Sequence, residues 1–411
     1  MQQAIPAPRA PISRYLTLCA YWFGFSFHWF FLLPILMPAD VERLVGSANK
    51  GTYLGILQGF PALIPLLLPP FLGMLSDRLG KRMVFLAGGT IVNVIGLLVM
   101  MFSPSYVMYF AGYLLVQLGN ALASSPYTAL IPDVVPLTER GRASGVMGFY
   151  QLFSQIAGGV AAFALGGSRD GQYIAIIVVL SLSAAITYFT TREPAKKPQL
   201  EERMDLLDYF KPEYRDFRWV FLTRAFTETG KYAVQPFLAY FLADVIGVFK
   251  IGSLEIKGAG LALTLLLVML SVTAAITAVA SGNVSDRIGK KPVVMFAGFF
   301  MAASALGFAL VKIYPLAILM GLLFGLGYGA FVSVDWALGT SVLPDERRHA
   351  RDMGVWHVAM VFPQLFEGLF GQILDSSNKA SHNSGYLVLF LIAVTFFVLG
   401  SVFVSRVRNV K

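Results

Sequence analysis

Five charged residues interrupt long apolar stretches in the second half of this chain. Arg224, Glu228 and Lys231 are spaced four and three residues apart, so one helix would carry all three on the same face. Asp335 and Glu367 lie within two later apolar stretches. Ionisable groups are costly inside a bilayer, and where they occur they pair with one another or take part in ion and proton transfer. The pattern therefore predicts proton chemistry within a membrane, with structural ion pairing as the alternative.

The acids of this set outnumber the bases by three to two, so one acid has no cation to balance it. Glu228 has both bases within one turn of its own helix, and Asp335 matches Arg224 in its expected depth. Glu367 is then the unmatched acid, and burial near the midplane favours the neutral form of a carboxylic acid. We predict Glu367 as the proton carrier, with Asp335 as the second candidate and His28 as the third. Glu228 belongs to the same predicted proton-coupling group.

Amide side chains and a tryptophan complete the predicted substrate cavity. Gln155 and Gln364 occupy equivalent positions in an internal repeat, which makes them the best candidates for contacts with a solute. Trp29 could stack on a sugar ring, although packing against lipid or core also explains it. Hydrogen bonding between helices is the alternative role of each amide. The predicted cavity set is Trp29, Gln58, Gln117, Asn120, Gln151, Gln155, Arg224, Lys231, Gln235 and Gln364.

The elements that must position these residues are helices that span a membrane. The chain has 411 residues, 56% hydrophobic and 13% charged, with a mean hydropathy of +0.68, which excludes a soluble enzyme. A spanning helix needs about 20 mainly apolar residues, and the chain contains twelve such runs. They lie near 15–38, 53–72, 83–102, 106–130, 144–167, 172–190, 217–247, 257–281, 292–311, 315–341, 353–374 and 386–405.

A repeated motif relates the two halves of the chain. Gly73-Met-Leu-Ser-Asp77-Arg78-Leu-Gly80-Lys81-Arg82 follows the second run, and a similar motif begins at Gly282, 209 residues later, after the eighth. A repeat of this kind decides the architecture of the whole chain. We therefore predict an all-α integral membrane protein with twelve transmembrane helices in two pseudo-symmetric six-helix bundles. The bundles are expected at 1–190 and 217–411, joined by a cytoplasmic linker at 191–216.

Basic residues are distributed unevenly about these spans. The side with both motifs and both termini holds 23 Lys and Arg, the opposite side 7, and the spans 2. Loops rich in Lys and Arg stay in the cytoplasm, so both termini are predicted there, in a plasma or bacterial inner membrane. This asymmetry accounts for the net charge of +9 without a nucleic-acid partner. The single cysteine, Cys19, excludes a disulfide framework.

Two related halves of six spans, with Gly-x-Leu-x-Asp-Arg-x-Gly-Lys-Arg after the second span, resemble the major facilitator superfamily of transporters. The resemblance covers nearly the whole chain. It implies a latch between the halves on the cytoplasmic side, in which the repeated motifs take part. The latch residues carried over from the resemblance are Gly73, Asp77, Arg78 and Gly80, with a twin formed by Asp286, Arg287 and Gly289.

Shorter motifs bear on the substrate. The loop from Ala129 to Arg142, with Pro132 and Asp133, and the adjoining Gly145 segment resemble those of plant sucrose/proton symporters and related glycoside transporters. The sequence departs from the family at Leu115, where many members carry an arginine, and its fifth span lacks the Gly-Pro pair typical of drug/proton antiporters.

The predicted function is secondary active transport by alternating access, as proton-coupled symport of a sugar-like or other small polar solute. The alternatives are a proton-coupled antiporter that exports drugs or metabolites and, more remotely, a transporter-like membrane sensor. The sequence contains no spacing of metal ligands, no nucleophile constellation and no phosphate-binding loop. We expect no cofactor, no metal site and no catalytic residue, and we expect a monomer.

Overall fold

The computed structural model describes residues 11–135, 139–165, 167–193, 209–342 and 349–408. These ranges are almost entirely helical, with one short hairpin of two antiparallel strands, β1 (Lys250–Ile251) and β2 (Leu254–Glu255). Most of the predicted linker lies outside the described residues. Ten of the described helices are long and apolar enough to cross a membrane.

Six spanning helices form the first half. The first two are interrupted near prolines: α1 by a π-helical turn and α2 by a 3-10 turn. In chain order, α1 comprises Ile12–Leu18, Ala20–Phe31, Leu32–Leu36 and Met37–Val45; α2 comprises Lys50–Gly59, Phe60–Ala62 and Leu63–Leu79; α3 is Arg82–Met101, α4 Tyr106–Val134, α5 Arg140–Ala164 and α6 Arg169–Thr190.

The second half repeats this arrangement. A 3-10 turn at Pro212–Tyr214 precedes α7, and another at Val404–Arg406 follows α12. In chain order, α7 comprises Arg215–Val234, Gln235–Phe237, Leu238–Phe241 and Leu242–Ile246; α8 is Ala259–Ile288, α9 Lys290–Leu310 and α10 Tyr314–Ser341; α11 comprises His349–Val361, Phe362–Phe366 and Glu367–Ala380; α12 is Ser384–Phe403. The interrupted helices α7 and α11, which carry internal charges, complete the predicted twelve and confirm the architecture of two six-helix bundles.

The repeated motifs end helices, whereas the sequence suggested that they form loops between spans. α2 continues through Gly73 to Leu79, and Gly80 then adopts a left-handed conformation with φ +58°. In the twin motif α8 continues to Ile288, and Gly289 has φ +94°. A residue with a side chain would be strained at either glycine. Each motif therefore contributes a charged helix end and a turn of only one or two residues.

Four helices have apolar outer surfaces suited to contact with lipid. Large apolar side chains are exposed along α3, α6, α9 and α12, where a bilayer would cover them. Examples are Ile91, Ile95, Val178, Leu182, Phe296, Phe300 and Leu391. This leaves the inner faces of the remaining helices to surround the interface between the halves.

Candidate functional site

Polar contacts join the two halves at the end of the molecule opposite the repeated motifs. The Asp375 carboxylate of α11 accepts hydrogen bonds from the backbone N–H groups of Gly51 and Thr52, at 3.1 and 2.6 Å, and from the Thr52 hydroxyl at 2.7 Å. These groups begin α2, and the unpaired donors of a helix N-terminus favour a negative charge. Lys50 adds an ion pair of 2.9 Å with Asp244 of α7. We call this end the sealed face, and the end that carries the motifs the basic face.

Below these contacts α2 and α11 touch backbone to backbone. A Cβ atom added at Gly55 would collide with the Glu367 carbonyl oxygen, and one added at Gly371 would collide with that of Gly51. Small residues permit such close approach between membrane helices. The two halves are thus closed against each other at the sealed face, next to Glu367.

A cavity with two chambers lies between the halves. The polar chamber, of about 710 Å³, is lined mainly by α1, α2, α4, α7 and α11, and it extends towards the basic face at Pro69 and Thr128. The aromatic chamber, of about 410 Å³, is lined by α1, α5, α7, α8, α9, α10 and α12. Trp29, Lys231 and Gln235 line both chambers and stand at their boundary.

Most of the predicted cavity residues reach this space. Arg224 lines neither chamber, although its guanidinium contacts Met360, which lines the polar chamber. The residues that line one chamber or both are Trp29, Gln58, Gln117, Asn120, Gln151, Gln155, Lys231, Gln235 and Gln364. Their contact with a solute stays a prediction.

Several of these amides are hydrogen-bonded within the protein, as the alternative role anticipated. Gln117 and Gln364 donate to the hydroxyl groups of Tyr113 and Tyr232, each at 2.8 Å. The repeat partner of Gln364, Gln155, accepts a hydrogen bond from Ser271 of α8 and so joins the two halves. Protein partners thus hold these amides in place at the cavity wall.

The aromatic chamber was not anticipated from the sequence. Its rings come from helices whose phenylalanines are indistinguishable in the sequence from those of an apolar core. Phe308 and Phe390 stack with their ring centres 5.6 Å apart, and Phe324 and Tyr328 do so at 5.8 Å. The chamber offers a flat apolar ligand several ring faces and edges.

Two ion pairs lie beside the cavity in the second half. Arg224 pairs with Asp335, as their matched depths predicted, and Lys231 pairs with Glu228 on its own helix. The Arg224 guanidinium also lies over the ring of Trp356, 3.6 Å from its centre. Asp335 is fully buried, and Arg224 and Glu228 are buried, whereas Lys231 is partly exposed to the cavity. Four of the five charges predicted inside the membrane are therefore neutralised in pairs.

Glu367 is the remaining charge. It is 2% exposed, lines the polar chamber, and its Oε2 has no hydrogen-bond partner among the described residues. Lys231 lies near enough for its charge to act on Glu367, yet its ion pair is with Glu228. The expectation of one acid without an ion-pair partner thus agrees with the geometry of the described residues. Its role as proton carrier stays a prediction.

The two membrane histidines have different positions. His28 is fully buried and lines neither chamber, and neither ring nitrogen has a partner among the described residues. The structure therefore does not bring this third candidate to the cavity. His357, for which the sequence analysis made no prediction, lines the polar chamber. Its spacing of seven residues from Gln364, a predicted cavity residue, was the available signal.

The predicted latch residues lie at the basic face. Gly73 and Gly80 belong to the end of α2, and Gly289 to the end of α8. Within the described part of the chain, Arg78, Asp286 and Arg287 are exposed, and no hydrogen bond or ion pair joins them to the opposite half. The side chain of Asp77 lies outside the described atoms. The latch stays a prediction. It would form in a state in which the basic face is closed.

These features define a class of protein: a polytopic membrane transporter for small solutes, with its cavity between two related halves. The chain belongs to the Major Facilitator Superfamily, whose sequence profile matches residues 15–363. It is 28% identical over 287 residues, 68% of each chain, to the tetracycline resistance protein of class C from Escherichia coli. It is 25% identical over 333 residues, 76% of this chain and 77% of the other, to the multi-drug resistance efflux pump PmrA of Streptococcus pneumoniae.

Solved structures share the fold over nearly the full length. A bacterial homologue of the human lysosomal transporter Spinster, inward-facing and occupied, has a TM-score of 0.73 at 16% identity, with 98% of both chains covered. The nucleoside transporter NupG has a TM-score of 0.76 at 13% identity, covering 96% of this chain and 100% of the other. At such identities the likeness concerns the fold alone.

Removal of either partner of the Arg224–Asp335 pair is expected to destabilise the protein, because the remaining buried charge loses its counterion. The expected loss in unfolding free energy is about 3–5 kcal/mol for a fully buried pair, and less where the cavity admits water. Combining Arg224→Asp with Asp335→Arg is expected to recover stability relative to either change alone. Thermal unfolding of the four purified proteins measures this coupling, and strictly additive losses would contradict a direct contact.

Proposed function

We propose that this chain is a proton-coupled antiporter that exports amphipathic small molecules across the cell membrane, with Glu367 as the proton carrier. The proposal depends chiefly on one observation: a buried acid in the wall of the polar chamber that has no ion-pair partner among the described residues. Such a group can bind a proton or a solute, and its two states differ by one unit of charge. Each chain contains a complete cavity, and we propose that it acts as a monomer.

The shape and chemistry of the cavity support an amphipathic ligand. Ligand sites in proteins commonly measure about 300–1,000 Å³ and combine apolar walls with a few polar groups. An apolar ring system would occupy the aromatic chamber between Phe324 and Phe390. The polar part of the same molecule would reach past Trp29 to Gln364 and Glu367 in the polar chamber.

The direction of transport follows from orientation and from the relatives. We propose that the basic face is cytoplasmic, because loops rich in Lys and Arg stay on that side. The cavity then loads from the cytoplasm in the state described here. The relatives named for tetracycline resistance and multi-drug efflux support export.

Exchange of a proton for a solute can occur at one carboxyl group. When Glu367 is ionised, it attracts the positive or dipolar part of a solute in the cavity. Protonation from the outer side cancels that attraction, and the solute leaves. Because only one of the two is held at a time, the inward movement of protons drives solute out.

Proton-coupled symport of a sugar-like solute is the second candidate. The hydrogen-bonding amides of the polar chamber, with Trp29 at its boundary, favour it. Under symport Glu367 would be protonated while the solute is bound, so that proton and solute cross together.

The sign of proton movement separates the two functions. Purified protein is reconstituted in liposomes that contain the pH dye pyranine, and ethidium or sucrose is added outside. Antiport is expected to make the lumen more alkaline when ethidium enters, because protons leave in exchange. Acidification with sucrose would establish symport instead, and no response to either relative to protein-free liposomes would reject both substrate proposals.

A further inference from the structure

Five charges of alternating sign form a continuous string in the second half. In order they are Asp335, Arg224, Glu228, Lys231 and Glu367. Arg224, Glu228 and Lys231 follow one face of the unbroken helix Arg215–Val234. Asp335 of α10 lies at one end, nearer the basic face, and Glu367 of α11 lies at the other. We call these residues the charge string.

Each base in the string has an acid on either side. Arg224 pairs with Asp335, and Glu228 lies one helical turn farther along its own helix. Lys231 pairs with Glu228, and its charge also acts on Glu367. Because Glu228 serves one base at a time, three complete pairings are available, and the present pairs are one of them. The second joins Arg224 to Glu228 and Lys231 to Glu367. The third joins Arg224 to Asp335 and Lys231 to Glu367, and it would leave the unpaired acid, Glu228, between both bases.

The unused polar atoms occur where the second pairing needs them. At the two ends of the string, Asp335 Oδ1 and Glu367 Oε2 are buried and have no hydrogen-bond partner among the described residues. Arg224 Nε is likewise buried without a described partner, although its guanidinium already contacts Asp335 and Met360. A free donor on Arg224 and a free oxygen on each terminal acid suit an exchange of partners.

We propose that the charge string holds a single proton that resides on Glu367 or on Asp335, and that Arg224 and Lys231 exchange partners when it changes place. In the pairing seen here, Glu367 holds the proton. When Glu367 gives its proton to water in the polar chamber, Lys231 turns to it, Arg224 turns to Glu228, and Asp335 takes a proton from water at the basic face. The net charge of the string is zero in both states, which avoids an unpaired charge in a buried site.

The inference rests on the proposed proton coupling and extends it, because it makes Asp335 a second proton site, nearer the basic face.

Other titratable groups face the string. The phenols of Tyr113 and Tyr232 lie near Glu367, that of Tyr328 lies near Lys231, and His357 lies near Arg224. Histidine is the member of this group that commonly changes charge near neutral pH, so its substitution serves as a control.

Infrared spectroscopy tests the proposal without transport. The carbonyl stretch of a protonated carboxylic acid is distinct from carboxylate bands and shifts in heavy water. Wild-type protein in lipid at neutral pH is expected to show one such buried group. Asp335→Asn leaves two acids for two bases, so the band is expected to disappear even though Glu367 is intact. Adding Arg224→Gln to that variant leaves two acids for one base, and the band is expected to return.

Each result has a defined meaning. A band that persists in Asp335→Asn would overturn the partner exchange, because Glu367 would then hold its proton independently of the far end of the string. A band that fails to return in the folded Arg224→Gln/Asp335→Asn protein would overturn it as well, since Glu228 and Glu367 would then both be ionised with Lys231 as the one base of the string. Loss of the wild-type band in His357→Gln would also count against it. The pyranine experiment judges antiport separately, so either proposal can fail while the other stands.

Discussion

Glu367→Gln in proteoliposomes is expected to lose solute accumulation driven by a pH gradient and to bind solute more weakly, because glutamine imitates the neutral carboxyl group that releases it. Glutamine keeps the size and hydrogen-bonding capacity of the side chain but cannot release a proton. For exchange of one proton per solute, a gradient of one pH unit can sustain about tenfold accumulation. The ratio is expected to fall to about one in the variant, whereas solute exchange without a gradient continues.

A matched substitution controls for the loss of an acid as such. Glu255 lies on the exposed hairpin, far from the cavity and outside the string. Glu255→Gln is expected to accumulate solute at the wild-type level. Normal gradient-driven accumulation in Glu367→Gln would remove this residue from the coupling mechanism. Unchanged solute affinity together with loss of accumulation would instead favour symport, in which solute binds while Glu367 is protonated.

Gly55→Ala is expected to open the sealed face and to slow transport strongly. The added methyl group would collide with the carbonyl oxygen of Glu367 across the α2–α11 contact, and backbone cannot rotate away as a side chain can. Overpacking of this kind costs about 1–3 kcal/mol, which would shift the balance between the two faces roughly 5- to 150-fold. The collision exists only while the sealed face is closed, so the alternative state gains population.

Spin labels can measure this shift directly. Cysteines at the exposed Ser47 and Ser381, on opposite halves of the sealed face, are labelled in a Cys19→Ser background, and the distance between labels is measured by pulsed electron resonance. The distribution is expected to move to longer distances in Gly55→Ala. Gly88→Ala is the matched control, since nothing lies within 4 Å of its Cβ position. Identical distances in the two variants would show that the glycine contact does not hold this face closed.

Properties that depend on short stretches of sequence could be predicted well. The twelve spans, the duplication and the excess of one acid follow from local composition and spacing, because a bilayer imposes length and polarity on each helix separately. The Arg224–Asp335 pair could be predicted for the same reason. The depth of each residue in the membrane follows from the number of residues between it and the end of its helix, at a rise of about 1.5 Å per residue. The structure places nine of the ten predicted cavity residues at a chamber wall.

Features that depend on which helix faces meet could not be predicted from the sequence. The aromatic chamber required α9, α10 and α12 to turn Phe308, Phe324 and Phe390 inward together. Neighbouring residues on the same helices are just as apolar and face lipid. Hydropathy therefore does not distinguish the residues that line the chamber from those that contact lipid. The position of His28 away from both chambers could not be predicted either, because its neighbours in the sequence are apolar on every side of the helix.

The sequence by itself determined the number of membrane helices, their duplication and the imbalance of charge within them, because these are properties of composition along one dimension. Only the tertiary structure decided that Asp375 caps α2 from the other half, across more than three hundred residues of chain. Contacts of this kind arise when two halves pack against each other, and the geometry of that packing is not encoded in the spacing of any one helix.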